Sequence, residues 1–146
     1  MRTLIGVVLV VPIVDLLLKA MLRRALAGGV VSLGPLGSLR TVGAPVWLAR
    51  VAGEFHIGSM WFLWTVAGGI LMVFAAWMPV SQVFAGLMLG GSLSNGLEIT
   101  WRGRVTDYVC LKFWPAFNLA DLAITAGAVG LVVELVAALR VASLAA

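Results

Sequence analysis

Four apolar stretches dominate this sequence of 146 residues, and each has about the length that a helix needs to cross a lipid bilayer. A helix that spans a hydrocarbon core of about 30 Å requires about 20 predominantly apolar residues. The stretches cover residues 4–22, 59–78, 82–97 and 118–139. This pattern predicts an all-α membrane protein with four transmembrane helices that form a single integral domain over residues 1–146.

The composition excludes several classes of protein. Hydrophobic residues make up 62% of the chain and charged residues 11%, against about 45–50% and about 25% in a typical soluble domain. These values exclude an ordinary soluble domain and a disordered chain. The net charge is +4, but no interleaved basic and aromatic stripe is present, so we predict no nucleic-acid partner. The single cysteine, Cys110, and the single histidine, His56, exclude an internal disulfide and a metal centre built on several such residues.

The segments between the spans favour structures other than helix. Residues 28–58 contain Gly and Pro every few positions, separated by short runs of β-favouring residues, which favours strands and turns. We expect a small β-rich cradle there, on the membrane surface after the first helix. Residues 99–117 form a second loop, which holds Arg102, Arg104, Asp107 and Lys112.

Tryptophans and glycines mark the second and third stretches. Trp61 and Trp64 lie at the start of the second stretch and Trp77 at its end, which is typical of aromatic belts at the two membrane interfaces. Gly86 and Gly90 form a GxxxG pattern in the third stretch. This pattern predicts that the third helix packs closely against a neighbour.

Ionisable residues inside the apolar stretches cost about 2.5–3.5 kcal/mol each on insertion scales, so each needs a partner or a function. Asp15 and Lys19 lie four residues apart on one helical face. We interpret them as a local ion pair whose lysine extends outward to the interface. Glu134 is interpreted as an acid at headgroup level, near the last turn of the fourth helix.

Asp107 and Asp121 flank a segment short enough to bring both carboxyl groups to one membrane surface. Asn118 is a good N-cap after Pro115, which places Asp121 in the first turn of the fourth helix. Helix capping alone would explain Asp121. Alternatively, two neighbouring carboxyl groups share a proton, so that one activates water and the other protonates a leaving amine. No GxSxG motif supports a serine nucleophile.

Three motifs resemble the pattern of bacterial lipoprotein signal peptidase, the signal peptidase II family. That pattern runs roughly GGxxGNxxDRxxxGxVxDF, followed by a variable stretch and PAFNxAD. The chain has GGSLSN at residues 90–95, RGRVTDY at residues 102–108 and WPAFNLAD at residues 114–121. Asp15 and Lys19 are similar to the family's D-Q-x-x-K element in the first span.

The resemblance implies a membrane aspartic endopeptidase that removes signal peptides from diacylglyceryl-modified prolipoproteins by cutting before the lipidated cysteine. It assigns the catalytic pair to Asp107 and Asp121. It implies supporting or substrate-binding roles for Asp15, Lys19, Asn95, Asn118 and Arg102.

The resemblance also implies a location and partners. The protein would be a multi-pass monomer of the bacterial cytoplasmic (inner) membrane, with its active site near the extracytoplasmic surface. It would act on lipidated prolipoproteins among membrane lipids, without a metal ion or an organic cofactor. Residues 28–58 would form the family's small sheet cradle, and residues 102–114 its mobile helix over the active site.

The chain departs from the family pattern at several polar positions. Ile99 replaces the arginine of the DR pair, and Glu98 replaces its aspartate. Ser94 replaces the glycine of GN, and Leu16 replaces the glutamine of the first-span element. The family's NxGxAF element has no asparagine near residues 51–55. These departures leave an alternative open, a catalytically impaired homologue that binds lipoprotein precursors or an inhibitor without cleaving.

Two further points follow from the distribution of charge. A small transport protein with Asp15, Asp121 and Glu134 along a polar path is a third interpretation. The positive-inside rule predicts the reverse of the family's orientation, because most cations lie in the two loops that the family places outside. These cations are Arg23, Arg24, Arg40, Arg50, Arg102, Arg104 and Lys112. We follow the family's orientation, because the cut site of an exported lipoprotein lies outside the cytoplasm.

Overall fold

The computed structural model describes residues 1–44, 56–77 and 81–145. Within them lie four long helices, α1 (Arg2–Ala25), α2 (Ile57–Trp77), α3 (Ser81–Arg102) and α4 (Leu119–Ala145). They also contain the strands β1 (Val31–Ser32), β2 (Gly37–Ala44) and β3 (Val105–Leu111), which form one antiparallel sheet in the order β1-β2-β3. The described residues are therefore mostly helical, with a small sheet.

Three of the described helices are long and apolar enough to cross a membrane. They are Arg2–Ala25, Ile57–Trp77 and Leu119–Leu144. Their outer faces expose large apolar side chains, among them Leu9, Phe62 and Val132. Exposed apolar faces of this extent are typical of a surface in contact with lipid. The first, second and fourth predicted spans are thus confirmed as helices of membrane-spanning length.

The third predicted span, α3, differs because it lies at the centre of the helices. It packs against α1, α2 and α4, and most of its buried residues are small glycines, alanines or serines. Its last turns also carry Glu98 and Arg102. A central helix does not need large lipid-facing side chains, which explains why α3 is less apolar than the three candidate spans.

Glycines allow α3 to approach its neighbours closely, as the GxxxG pattern predicts. A Cβ atom on Gly86 would lie 2.8 Å from Val7 Cβ, and one on Gly90 would lie 2.9 Å from Val11 Cβ. On the opposite side, a Cβ atom on Gly91 would lie 2.5 Å from the carbonyl oxygen of α4 residue 120. The close approach brings polar side chains of α1, α3 and α4 into contact.

The tryptophans of α2 contribute to packing as well as to its outer surface. Trp61 Nε1 donates a hydrogen bond to Thr100 Oγ1 at 3.1 Å, and Trp64 Nε1 donates to Ser92 Oγ at 2.9 Å. Trp77, at the other end of α2, is 84% exposed. Two of the three predicted belt residues therefore also anchor α2 to α3.

The sheet confirms part of the predicted cradle. β1 and β2 fall within residues 28–58, and β2 pairs with β3 so that Val42 lies opposite Asp107. Residues 45–55 of that segment lie outside the described residues, and Ile57 and Gly58 at its end already belong to α2. β3 contacts α1 and α3, so the sheet lies directly beside the polar ends of these helices.

β3 corrects the expectation for the loop at residues 99–117. The resemblance implied a helix over the active site at residues 102–114, but α3 continues to Arg102 and Val105–Leu111 form a strand. β-Branched and aromatic residues favour a strand here, and pairing with β2 satisfies the backbone groups. Asp107 is therefore held on a sheet.

Candidate active site

Asp121 is held at the start of α4 by a reciprocal cap. The backbone N–H of Asp121 donates to Asn118 Oδ1 at 3.0 Å, and the backbone N–H of Asn118 donates to Asp121 Oδ2 at 3.0 Å. This is the geometry of a capping box, with Asn118 as the N-cap. The sequence prediction that Asn118 caps this helix is confirmed.

Asp107 reaches the same asparagine from β3. Asn118 Nδ2 donates to Asp107 Oδ1 at 2.8 Å, and the Asp107 side chain is only 7% exposed. Tyr108 contributes to the alignment, because its hydroxyl oxygen accepts a hydrogen bond from the backbone N–H of Leu119 at 2.9 Å. Asn118 therefore contacts both predicted catalytic carboxyl groups, and these lie at one end of the protein as the sequence predicted.

Asn95 contributes from α3 and completes the contacts around Asp121. Its Nδ2 donates to Asp121 Oδ1 at 2.9 Å, and its Oδ1 accepts from Lys19 Nζ at 2.7 Å. Both oxygens of Asp121 therefore accept hydrogen bonds from N–H groups. Asn95 also links the carboxyl pair to the polar residues of α1.

Asp15 and Lys19 lie in the protein interior, which corrects the interpretation that Lys19 extends outward. Both side chains are fully buried, and Lys19 Nζ lies 2.8 Å from Asp15 Oδ2. Asp15 Oδ1 accepts from the backbone N–H of Ala120 at 3.0 Å, and Oδ2 accepts from Ser94 Oγ at 2.6 Å. The lysine stays inside because several acceptors surround it there. The pair thus ties α1 to the first turn of α4.

Glu98 and Arg23 are site residues that sequence reasoning missed. Glu98 is 1% exposed and lies 3.2 Å from Lys19 Nζ. Its Oε1 accepts from Arg23 Nη1 at 2.7 Å, and its Oε2 accepts from the backbone N–H of Thr106 at 2.9 Å. Glu98 therefore holds β3 one residue before Asp107. Asp15, Lys19 and Arg23 follow one another at intervals of four residues. This spacing is the signal that would have placed Arg23 on the same face of α1 as the other two.

Arg102, for which the resemblance implies a supporting role, lies beside Glu98. Its Nε is 3.9 Å from Glu98 Oε1 and its side chain is 43% exposed. Among the residues that the structure describes, it has no contact with Asp107 or Asp121. The guanidinium that donates to Glu98 and Thr106 belongs instead to Arg23.

Burial changes the acidity of Asp107, which lies in the sheet outside the membrane-spanning helices. Desolvation raises the pKa of Asp107 from 3.8 to about 6, the hydrogen bond from Asn118 opposes this rise, and the nearby Asp121 charge adds to it. A carboxyl group with this pKa can hold a proton near neutral pH. A proton on this group, beside a second carboxyl group, is the arrangement that acid–base catalysis by two carboxyl groups requires.

The raised pKa predicts a pH-dependent cost of folding. Since one pKa unit corresponds to about 1.4 kcal/mol, ionised Asp107 costs at most about 3 kcal/mol. This cost is absent below pH 3.8, grows between pH 3.8 and about 6, and is fully present above about pH 6. Asp107→Asn should therefore raise the unfolding temperature in detergent at pH 7.5 but not at pH 3.5. An equal effect at both values, or destabilisation at pH 7.5, would contradict the burial argument.

Two apolar recesses open beside the polar cluster. A groove of about 430 Å³ between α2 and α3 has Asn95, Ile99 and Trp64 among its lining residues. A second recess of about 270 Å³ is lined by the polar side chains of Asp121 and Thr125 and by apolar side chains that include Trp114. Extended apolar chains would fit these two recesses. Asn95 and Asp121 would then lie at the inner edge of the recesses.

Comparison with known proteins identifies related sequences. The profile of the family described as Signal peptidase (SPase) II matches residues 7–137. The lipoprotein signal peptidase of Rhodococcus jostii is 33% identical over 115 residues, which cover 69% of this chain and 54% of that protein. The lipoprotein signal peptidase of Moorella thermoacetica is 43% identical over 51 residues, 35% of this chain and 34% of that protein. The matches thus span about a third to a half of the length of these relatives.

Solved structures agree with this fold. Two bacterial membrane enzyme structures obtained by the in meso method superpose with TM-scores of 0.76 and 0.75 at 20% and 19% identity. The first superposition covers 93% of this chain and 88% of the other. With the family profile matching most of its length and a relative at 33% identity, the chain belongs to the signal peptidase II family.

Proposed function

We propose that this protein is a membrane aspartic endopeptidase that cuts diacylglyceryl-modified prolipoproteins before the lipidated cysteine. The observation that carries the proposal is the contact of one asparagine, Asn118, with the carboxyl groups of both Asp107 and Asp121. Family membership supports the substrate class, because the named relatives are lipoprotein signal peptidases. The departure at Ile99 does not remove any contact within this pair.

The two carboxyl groups would divide the chemistry between them. Ionised Asp121 takes a proton from water as the water oxygen attacks the carbonyl carbon, while protonated Asp107 donates a hydrogen bond, then its proton, to the carbonyl oxygen. Asp121 then passes its proton to the amide nitrogen, the carbon–nitrogen bond breaks, and the re-formed carboxyl product returns a proton to Asp107. The pair ends in its starting state, so the reaction needs no metal ion or organic cofactor.

The remaining polar residues would position this pair. Asn95 and Asn118 hold Asp121, and the buried Asp15–Lys19 pair fixes the first turn of α4. Arg23 and Glu98 align β3 from the other side. In this proposal Arg23 supplies the guanidinium that the family pattern places where this chain has Ile99.

We further propose that α3 is a fourth transmembrane helix and that the chain is a single, monomeric domain in the bacterial inner membrane. Polar side chains at the centre of a helix bundle are tolerated in lipid when they pair with one another, as those of α3 do. The carboxyl pair and the sheet would face the extracytoplasmic side, where lipidated prolipoproteins and membrane lipids meet.

This orientation predicts labelling from outside the cell. Leu36 lies in the exposed turn between β1 and β2, and Cys110 is the single native cysteine. In a Cys110→Ser background, Leu36→Cys should react with a membrane-impermeant maleimide in intact spheroplasts, whereas Arg140→Cys should react only after lysis. The reverse pattern, which the positive-inside rule would predict, would contradict the proposed orientation.

Cleavage of a defined precursor tests the function. Purified protein in detergent is expected to convert a diacylglyceryl-modified precursor into a free signal peptide and a product whose first residue is the lipidated cysteine, as read by mass spectrometry. The unlipidated precursor is the control and should stay intact. Binding of the lipidated precursor without any product would favour the non-cleaving homologue instead.

A further inference from the structure

A basic recess lies on the side of the sheet beside Glu98 and Arg23. It is lined by the side chains of Arg23, Arg102, Arg104, Thr41 and Thr106, and we call it the arginine recess. It has a volume of about 160 Å³. It opens between β2, β3 and the final turns of α1 and α3, so its lining comes from four elements.

Glycine leaves space for one of these arginines. Gly43 also lines the recess, opposite Arg104. A Cβ atom on Gly43 would lie 2.9 Å from Arg104 Cδ and 3.4 Å from its Nε. The Arg104 side chain therefore crosses the bare backbone of β2, where any larger residue at position 43 would displace it.

Positive charge in and around the recess exceeds the negative charge that faces it. The cations are Lys19, Arg23, Arg102 and Arg104, and the acids in contact with them among the described residues are Asp15 and Glu98. Two positive charges are thus in excess. The C-terminal ends of α1 and α3 offset about half a charge each, which leaves an excess of about one positive charge within the part of the chain that the structure describes.

The recess lies at the end of a candidate membrane span, which is where a spanning helix meets the lipid headgroups. Arg23 is in the last turn of the candidate span α1, and Arg102 is in the last turn of α3. Guanidinium groups present several N–H donors in a planar fork, which matches the oxygens of a phosphate group. Charge, donor geometry and depth therefore all fit a phosphate at the membrane surface.

The same recess accounts for a feature that the peptidase function leaves unexplained. In the proposed orientation, most cations lie on the extracytoplasmic side, against the positive-inside rule. A phosphate held by Arg23, Arg102 and Arg104 gives three of these cations a role on that side. A diacylglyceryl group contains no phosphate, so the recess is distinct from any surface that binds the lipid of the proposed substrate.

We propose that the arginine recess binds a phosphate group, either that of an anionic phospholipid headgroup or free phosphate. The orientation argument rests on the proposed function, but the excess charge and the donor geometry do not. Arg23 is held firmly by Glu98 at 2.7 Å, whereas Arg102 lies 3.9 Å from the same carboxylate and is more exposed. We therefore expect the Arg102 and Arg104 guanidinium groups to contribute the contacts that change on binding.

Lipid binding to the full chain tests this inference. In a neutral detergent, we expect phosphatidylglycerol to bind the protein at least tenfold more tightly than diacylglycerol with the same acyl chains, measured by native mass spectrometry and by the rise in unfolding temperature. Arg102→Gln/Arg104→Gln should weaken phosphatidylglycerol binding at least tenfold. Arg2→Gln/Arg140→Gln removes the same charge at the other end of the helices and should leave binding unchanged.

Competition identifies the source of the phosphate. Displacement of phosphatidylglycerol by millimolar inorganic phosphate would assign the recess to free phosphate, and resistance to it would assign the recess to the lipid headgroup. Equal binding of the two lipids, or unchanged binding in Arg102→Gln/Arg104→Gln, would overturn the inference. Asp107→Asn should bind phosphatidylglycerol as the parent does. Lipid binding and precursor cleavage are therefore separate results, and the failure of one does not imply the failure of the other.

Discussion

Asp107→Asn and Asp121→Asn should each lower the rate of precursor cleavage by at least about 10³-fold. Asparagine has nearly the shape of aspartate but cannot donate or accept the transferred proton, and general acid–base catalysis contributes about 10²–10⁴-fold for each group. The two residues act as one unit through Asn118, so the double variant should be little slower than either single variant. Initial rates on one lipidated precursor measure this effect.

Glu134→Gln is the matched control for these substitutions. Glu134 is also an acid within α4, but it accepts a hydrogen bond from Ser81 at the start of α3, far along the helix from Asp121. Its replacement should leave the cleavage rate unchanged. Parent-like rates in both aspartate variants would refute the aspartic mechanism. Solute flux through the protein in liposomes, without any peptide product, would favour the polar transport path.

Lys19→Met should produce the largest loss of stability. Lys19 is fully buried between Asp15, Glu98 and Asn95, at 2.8, 3.2 and 2.7 Å. Removing one partner of a buried ion pair costs about 3–5 kcal/mol, because the remaining charge is left without compensation. At about 2–4 °C per kcal/mol for a chain of this size, the unfolding temperature in detergent should fall by about 10 °C. Intrinsic tryptophan fluorescence can follow the transition.

Two further variants separate this effect from simple loss of a lysine. Lys112→Met removes an exposed lysine from the turn after β3 and should change the unfolding temperature little. Asp15→Asn should restore part of the stability of Lys19→Met, because it removes one of the uncompensated charges. If Lys19→Met unfolds at the parental temperature, the buried cluster does not stabilise the helices as described.

Local patterns predicted much of the fold because their cause lies in neighbouring residues. The length of the apolar stretches predicted the helices, and α4 begins at Leu119, one residue after the predicted N-cap Asn118. The pairing of Asp107 with Asp121 was also predictable, because the joining segment is too short to separate them widely. In each case the controlling distance along the chain is small.

The cluster around Glu98 could not be predicted in the same way. Arg23 and Glu98 lie 75 residues apart in the sequence, and their contact depends on how α1 and α3 rotate and cross. Considered on its own helix, Lys19 had only Asp15 as a partner, so an outward position was favoured over burial. The strand at Val105–Leu111 likewise depends on its pairing with β2, which no local pattern specified.

The central claim is that Asp107 and Asp121 together hold one proton during cleavage, and the pH dependence of the rate tests it most directly. With a pKa of about 6 for Asp107 in the free protein, kcat/KM should fall tenfold per pH unit above about pH 6. The fall in kcat should begin at a higher pH than the fall in kcat/KM, because bound substrate buries Asp107 further. Rates of cleavage that stay constant from pH 5 to pH 9 would contradict the account.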